Sequence, residues 1–159
     1  MKKIVLATLL AFASAQPAIA LSCIRPDITR SYDWAEESEK TFIILRGVIL
    51  AAAKNSPPGL RKPNVRPSAA MGVFTGSYLT ETGFDYPVET EIRIKIGCAG
   101  PWCGSMPEGD ERIYFVTVNP DGTDPTYSSE ACGGNSFPVL DEAALIEHVT
   151  RSREPAPVR

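Results

Sequence analysis

Val88-Glu-Thr-Glu-Ile-Arg-Ile-Lys-Ile96 alternates without a break. Val88, Thr90, Ile92, Ile94 and Ile96 fall on one side, and Glu89, Glu91, Arg93 and Lys95 on the other. That is a half-buried strand with one face in water. Gly97-Cys98-Ala-Gly-Pro-Trp-Cys103-Gly104 follows, and its glycines and proline break the strand. Arg112-Ile-Tyr-Phe-Val-Thr-Val118 is a second strand, rich in β-branched and aromatic residues. Asn119-Pro-Asp-Gly122 reads as a turn, with Pro120 pre-setting its first central position. Thr126 to Cys132 reads as a shorter strand, and Gly133-Gly134 lets the chain bend behind Cys132. This half of the chain is therefore β, and its cysteines decide how it closes.

Working outward, Thr41-Phe-Ile-Ile-Leu-Arg-Gly-Val-Ile-Leu-Ala-Ala-Ala53 is the most apolar stretch beyond the first twenty residues. Its β-branched content and central glycine predict a long strand that curls through a small barrel, with a bend or bulge at Gly47. Ala70 to Leu79 is a further strand, and Thr80 to Pro87 a turn region. Ile24 to Thr29 reads as extended or irregular, since Pro26 disfavours helix in the residue before it. Ser31 is expected to cap a short helix over Tyr32–Ser38, with Trp34 pinning it to the core. Near the other end, Asp141 is expected to cap a helix that opens at Leu140 and runs to about Arg151. Leu140 would staple onto Leu145, while Leu145 and Val149 would form the buried stripe. Residues 153–159 read as a flexible tail.

Met1-Lys-Lys, the apolar run Ile4 to Ala15 and the small-residue site Ala18-Ile19-Ala20 have the form of a secretory signal peptide over residues 1–20. The apolar run is too short to span a bilayer, so no transmembrane span is expected. Cleavage after Ala20 would leave residues 21–159, with a single domain over 21–152. Loss of Lys2 and Lys3 would take the net charge from −3 to −5. An exported acidic chain is poorly suited to nucleic acid. Ala20-Leu21-Ser22-Cys23 loosely resembles a lipoprotein cleavage site. Such sites usually carry Leu where Ala20 stands, so a lipid anchor at Cys23 is not expected.

The four cysteines of a secreted or periplasmic chain are expected to form two disulfides. Cys98–Cys103 with Cys23–Cys132 is the favoured pairing, one closing a tight local loop and the other tying the domain's start to its last strand. Cys23–Cys98 with Cys103–Cys132 is the main rival. Lys54 to Pro67 holds four prolines, the basic residues Lys54, Arg61, Lys62 and Arg66, and no acid. It reads either as a Pro-stiffened solvated connection or as a binding loop for an anionic partner. His148 is the only histidine and stands without a nucleophile motif, which points to a structural place on the last helix. Neither a Gly-x-Ser-x-Gly elbow, nor a phosphate loop, nor His-Glu-x-x-His occurs. Cys98 and Cys103 have four residues between them, where thioredoxin-like sites have two at a helix start. No catalytic residue, metal ligand or cofactor is therefore expected. Glu89, Glu91, Glu108, Asp110 and Glu111 read as solvated acids.

The order of parts resembles the netrin-like, tissue-inhibitor-of-metalloproteinase-like family. The match runs from Cys23 through a short helix at Tyr32–Ser38 and a long strand around Arg46-Gly47-Val48. It continues with Cys103-Gly104 before Tyr114-Phe115-Val116, and ends with Cys132 and a C-terminal helix. Cys132-Gly-Gly-Asn-Ser-Phe-Pro138 is similar to the ending of bacterial secreted proteins with this fold. The resemblance implies a mainly β, OB-like five-stranded barrel with a short N-terminal-side helix and a C-terminal helix, disulfide-stapled. The family's inhibitors chelate a protease zinc through the free amine and carbonyl of an N-terminal cysteine. Here Cys23 would be third after Leu21-Ser22, so only its place as a disulfide partner carries over. The expected function is an exported, non-enzymatic interaction module binding a protein, peptide or envelope polymer. Its contacts would lie in Lys54–Pro67 and Asn119–Pro125, the loops that frame the face of an OB barrel. Metalloprotease inhibition and thiol–disulfide exchange are the alternatives.

Overall fold

The structure, a computed structural model, describes residues 23–51 and 68–153, and of Ala51, Ser68 and Ala69 the backbone alone. Residues 1–20, read as a signal peptide, the basic residues Lys54, Arg61, Lys62 and Arg66, and residues 154–159 lie outside the described residues. Helix α1 (Ile28–Glu37) precedes strands β1 (Thr41–Ala51), β2 (Ser68–Tyr78) and β3 (Tyr86–Ile96). A two-stranded hairpin, β4 (Cys98–Ala99) and β5 (Trp102–Cys103), leads to β6 (Arg112–Val118), β7 (Thr126–Ser129) and β8 (Ser136–Pro138). Helix α2 (Glu142–Arg153) comes last. The strands run β1-β2-β3-β7-β6, and β6 pairs back onto β1 to close a five-stranded barrel. Neighbours are antiparallel except β3 and β7, which are parallel. This is OB-type order. Strand β8 pairs with β6 over Arg112–Tyr114, just before β7 takes over at Val116.

Alternation divides the apolar residues between two cores. Leu45, Ile49, Phe74, Ile92, Ile94, Ile96, Tyr114, Val116 and Tyr127 fill the barrel. Ile44, Ile113 and Phe115 point outward and meet Ile28, Tyr32 and Ala35 of α1 and Leu145 and Val149 of α2. Strand β6 is thus buried on both faces, which is why Ile113 to Val116 reads as an unbroken apolar run. Strand β3 keeps one wet face, and its exposure follows the alternation of its sequence.

Gly47 faces Gly76 across β1 and β2 in a register that runs unbroken from Leu45 to Ala51. The expected bulge is therefore not there. What demands glycine is close approach: a Cβ on Gly47 would lie 2.3 Å from Thr75 O, and one on Gly76 2.1 Å from Arg46 O. The Phe74 ring covers the space the two missing side chains leave.

Both helices depart from expectation at their starts. Helix α1 begins at Ile28, inside the stretch expected to be irregular, and its cap is Asp27 rather than Ser31. Asp27 Oδ1 accepts from Arg30 N at 3.0 Å and from the Thr29 hydroxyl at 2.7 Å. These bonds, the backbone one first, hold its carboxyl below the usual range. The earlier start puts Ile28, Tyr32 and Ala35 on the buried stripe and turns Trp34 outward, 55% exposed, with its edge on Phe42. Trp34 therefore does not pin the helix. At the other end a 3-10 turn, Val139–Asp141, precedes α2 and leaves Leu140 93% exposed, so it does not staple to Leu145. Arg153, expected in the tail, closes the helix. Strand β7 stops at Ser129, and Cys132 sits in the bend beyond it.

Candidate functional site

Helices α1 and α2 cover the outer side of β1 and β6, while β2 and β3 present an outer face to solvent. Strand register sets that face in rows. Leu50 lies beside Val73, which lies beside Glu91; Val48 lies beside Thr75, which lies beside Glu89; Met71 lies beside Arg93. Leu50 and Val73 are 55% and 41% exposed, a small apolar centre with carboxylates along one border. These side chains point out because Gly72, Phe74 and Gly76, the alternate residues of β2, point in.

The turn between β6 and β7 stands against this face and is internally fixed. Gly122 N donates to Asn119 O at 2.8 Å, closing the turn that Pro120 and Asp121 begin. Asp121 Oδ1 accepts from the Thr123 hydroxyl at 2.6 Å and from Thr123 N at 3.0 Å, which lowers its pKa. Asn119 Nδ2 donates to Thr123 Oγ1 at 3.0 Å. Asp124 takes a left-handed φ of 53°, a conformation Asp tolerates better than most residues. Its Oδ1 then receives Arg93 Nη2 at 2.8 Å and Nε at 3.1 Å. Arg93 N donates to Pro125 O at 2.8 Å, so backbone and side chain together lash the turn to β3. A cleft of ≈ 350 Å³ lies between this turn, the start of β1 and Lys95, with Lys40 as a second cation on its wall.

Of the residues expected to bind, Lys54, Arg61, Lys62 and Arg66 lie outside the described residues, whereas the Asn119–Pro125 turn is placed beside β3. Alternation alone marked Arg93 as outward, but nothing in the sequence paired it with Asp124. Cys23 is bonded to Cys132 and Cys98 to Cys103, and all four are exposed. Cys98 and Cys103 face each other across the β4–β5 hairpin, away from any helix start that would favour a thiolate. His148 Nε2 lies 2.6 Å from Asp33 Oδ1 and its ring meets Tyr32 edge-on, so it bridges α2 to α1. Glu111, read as a solvated acid, receives Arg46 Nε at 3.0 Å, and Arg46 Nη1 reaches Glu142 at 2.8 Å. Among the described residues no three His, Cys, Asp or Glu side chains group to hold a metal ion, and no helix is long and apolar enough to cross a membrane. Comparison with protein-family models, curated proteins and solved structures finds no match to this chain.

Proposed function

We propose that the protein is an exported, non-enzymatic interaction module that binds a protein, peptide or envelope polymer across the β2–β3 face. The observation that carries this reading is the Asn119–Pro125 turn, held rigid by its own side chains and fixed to β3 through Arg93 and Asp124. A rigid wall beside an exposed apolar centre loses little entropy when a partner docks. The basic residues Lys54, Arg61, Lys62 and Arg66 belong to the connection between β1 and β2, and Lys40 and Lys95 add positive charge near the turn. Set against Glu89 and Glu91 on the face itself, these cations favour a partner that carries anionic groups alongside basic ones. Two disulfides suit an oxidising compartment.

The test uses a photo-reactive side chain at Val73, with Glu147 on the exposed side of α2 as control. Cross-linking to purified envelope fragments should occur from position 73 and not from position 147. It should be lost when Arg61, Lys62 and Arg66 are all replaced by Ser. Unchanged capture by the triple variant refutes the reading.

A further inference from the structure

Arg112 opens β6, on the face it shares with Tyr114 and Val116 by strand alternation, at the end of the barrel where the strand begins. Its side chain lines a cleft of ≈ 290 Å³ between the two disulfide-bonded loops. Cys103 and Gly104 form one wall, and Gly133 and Gly134, just past Cys132, form the other. Gly104 must be glycine, because a Cβ there would lie 2.2 Å from Ser129 O. That contact draws the small hairpin against the end of β7 and shapes the wall.

Arg112 Nη2 donates to Ser136 O at 3.3 Å. Its Nε is buried and has no hydrogen-bond partner among the described residues. A buried guanidinium N–H that has given up water without gaining an acceptor destabilises the fold, and such groups call for an explanation. Among the described residues Arg112 has no ion-pair partner. Its neighbour Glu111 is engaged by Arg46. Glu130 lines the cleft, but its carboxylate lies over Gly97, where a Cβ would meet Oε2 at 2.1 Å. The rest of the cleft lining is uncharged, with the hydroxyls of Ser105, Ser129 and Ser136 set among glycines, Pro26, Pro107 and Ala131. Past Pro26, Gly133 and Gly134 the cleft joins an apolar groove of ≈ 400 Å³ bordered by Ile24 and Trp34, 80% and 55% exposed.

We propose that this cleft is a carboxylate-binding site that takes the free C-terminus of an extended peptide, with apolar side chains lying in the groove over Ile24 and Trp34. The edge of a guanidinium carrying Nε and one Nη offers two parallel donors, the geometry a carboxylate accepts. The groove supplies apolar area for the residues that precede the carboxylate. The site uses no residue of the β2–β3 face and stands independently of the function proposed there.

The experiment is calorimetric titration of the whole protein with acetyl-Ala-Leu-Leu as the free acid and as its C-terminal amide. The acid should bind roughly tenfold or more tightly than the amide, as expected for a charge-assisted pair. Arg112→Gln should abolish the difference. Arg112→Lys keeps the charge without the fork and should retain only part of it, which covers the case where the Gln variant misfolds. Trp34→Ala, at an exposed position, should weaken acid and amide alike and leave their ratio unchanged. Equal binding of acid and amide to the unaltered protein overturns the proposal. So does displacement of the peptide by inorganic phosphate at the peptide's own Kd.

Discussion

The two disulfides should contribute unequally to stability, and the inequality can be worked from their positions. Cys23–Cys132 closes a loop with a sequence separation of 109, Cys98–Cys103 one of 5. The loop-closure entropy removed from the unfolded chain corresponds to about 5 kcal/mol for the long loop and about 2 kcal/mol for the short one. All four cysteines are exposed, so replacing them with Ala opens no cavity and adds little packing loss to those figures. The buried stripe of α1 (Ile28, Tyr32 and Ala35) stays in place when the bond at Cys23 is cut, so the folded state keeps its contacts. A domain of this size is stable by only about 5–15 kcal/mol, so losing the long bridge removes a large share of that. The assay is equilibrium urea unfolding of the unaltered protein, the Cys23→Ala/Cys132→Ala variant and the Cys98→Ala/Cys103→Ala variant, with slopes compared to check that the transition stays two-state. The first variant should lose about twice the free energy of the second, or more. A Cys98/Cys103 variant that loses as much as the Cys23/Cys132 variant would refute the reasoning. It would mean that the small hairpin orders the barrel end in the folded state, beyond constraining the unfolded one.

Two further outcomes follow from the barrel interior. Gly76→Ala should destabilise by roughly 1–3 kcal/mol or more, since its Cβ would enter the backbone of β1; an unchanged urea midpoint would show that the strands can separate at Gly47. Burial, with Tyr127 next to it, pushes the Tyr114 phenol up to about 12. An unfolded tyrosine ionises at about 10, so between those values the unfolded chain holds fewer protons than the native one. The stability linked to Tyr114 is therefore fully present below the lower value and is lost as pH rises toward the upper one. Tyr114→Phe should flatten that alkaline decline without abolishing it, because burial raises Tyr32 as well. An alkaline slope identical to that of the unaltered protein would contradict the assignment.

What the sequence displayed was local. The alternation of Val88–Ile96 is also its exposure pattern, and the Ile113–Val116 run marks a strand covered on both sides, because in each case neighbouring side chains record their own surroundings. The parallel pairing of Arg93–Ile96 with Thr126–Ser129 left no such mark, since it joins strands separated by the whole of β6 and the small hairpin. The start of α1 is not fixed by its caps, because Ser31 and Asp27 are both acceptable ones, and the choice belongs to the stripe Ile28, Tyr32 and Ala35, which follows helical spacing from Ile28. Trp34 lies off that stripe, and its size was no guide to its burial. Strand β8 is not legible in the sequence, because three residues ending in Pro138 carry too little pattern. Of the candidate sites, Arg93 was legible as an outward cation. Asp124 and Arg112 were not, because the roles of both are set by what the fold brings beside them.

The distribution of charge explains why binding surfaces remain where they do. The helices require an apolar outer face beneath them, and β1 and β6 supply Ile44, Ile113 and Phe115. The outer face of β2 and β3 carries Thr75, Glu89, Glu91 and Lys95. A helix laid there would strand charges away from water without partners, which is strongly unfavourable. The same composition that keeps the intramolecular helices off this face leaves it open to a partner that brings matching charge. At the barrel end the logic is reversed. Arg112 is drawn inward by strand alternation but sits at the last register position, where the cleft still reaches solvent. One step further along the face, at Tyr114, the barrel is closed and the side chain must be an aromatic with its hydroxyl bonded to Asp110 O at 3.3 Å. The boundary between core and site therefore falls within a single strand, between positions 112 and 114. Moving the cation inward, by Arg112→Val with Val116→Arg, should abolish folding, seen as loss of the cooperative urea transition, because at 116 a guanidinium would be buried with neither a carboxylate nor water.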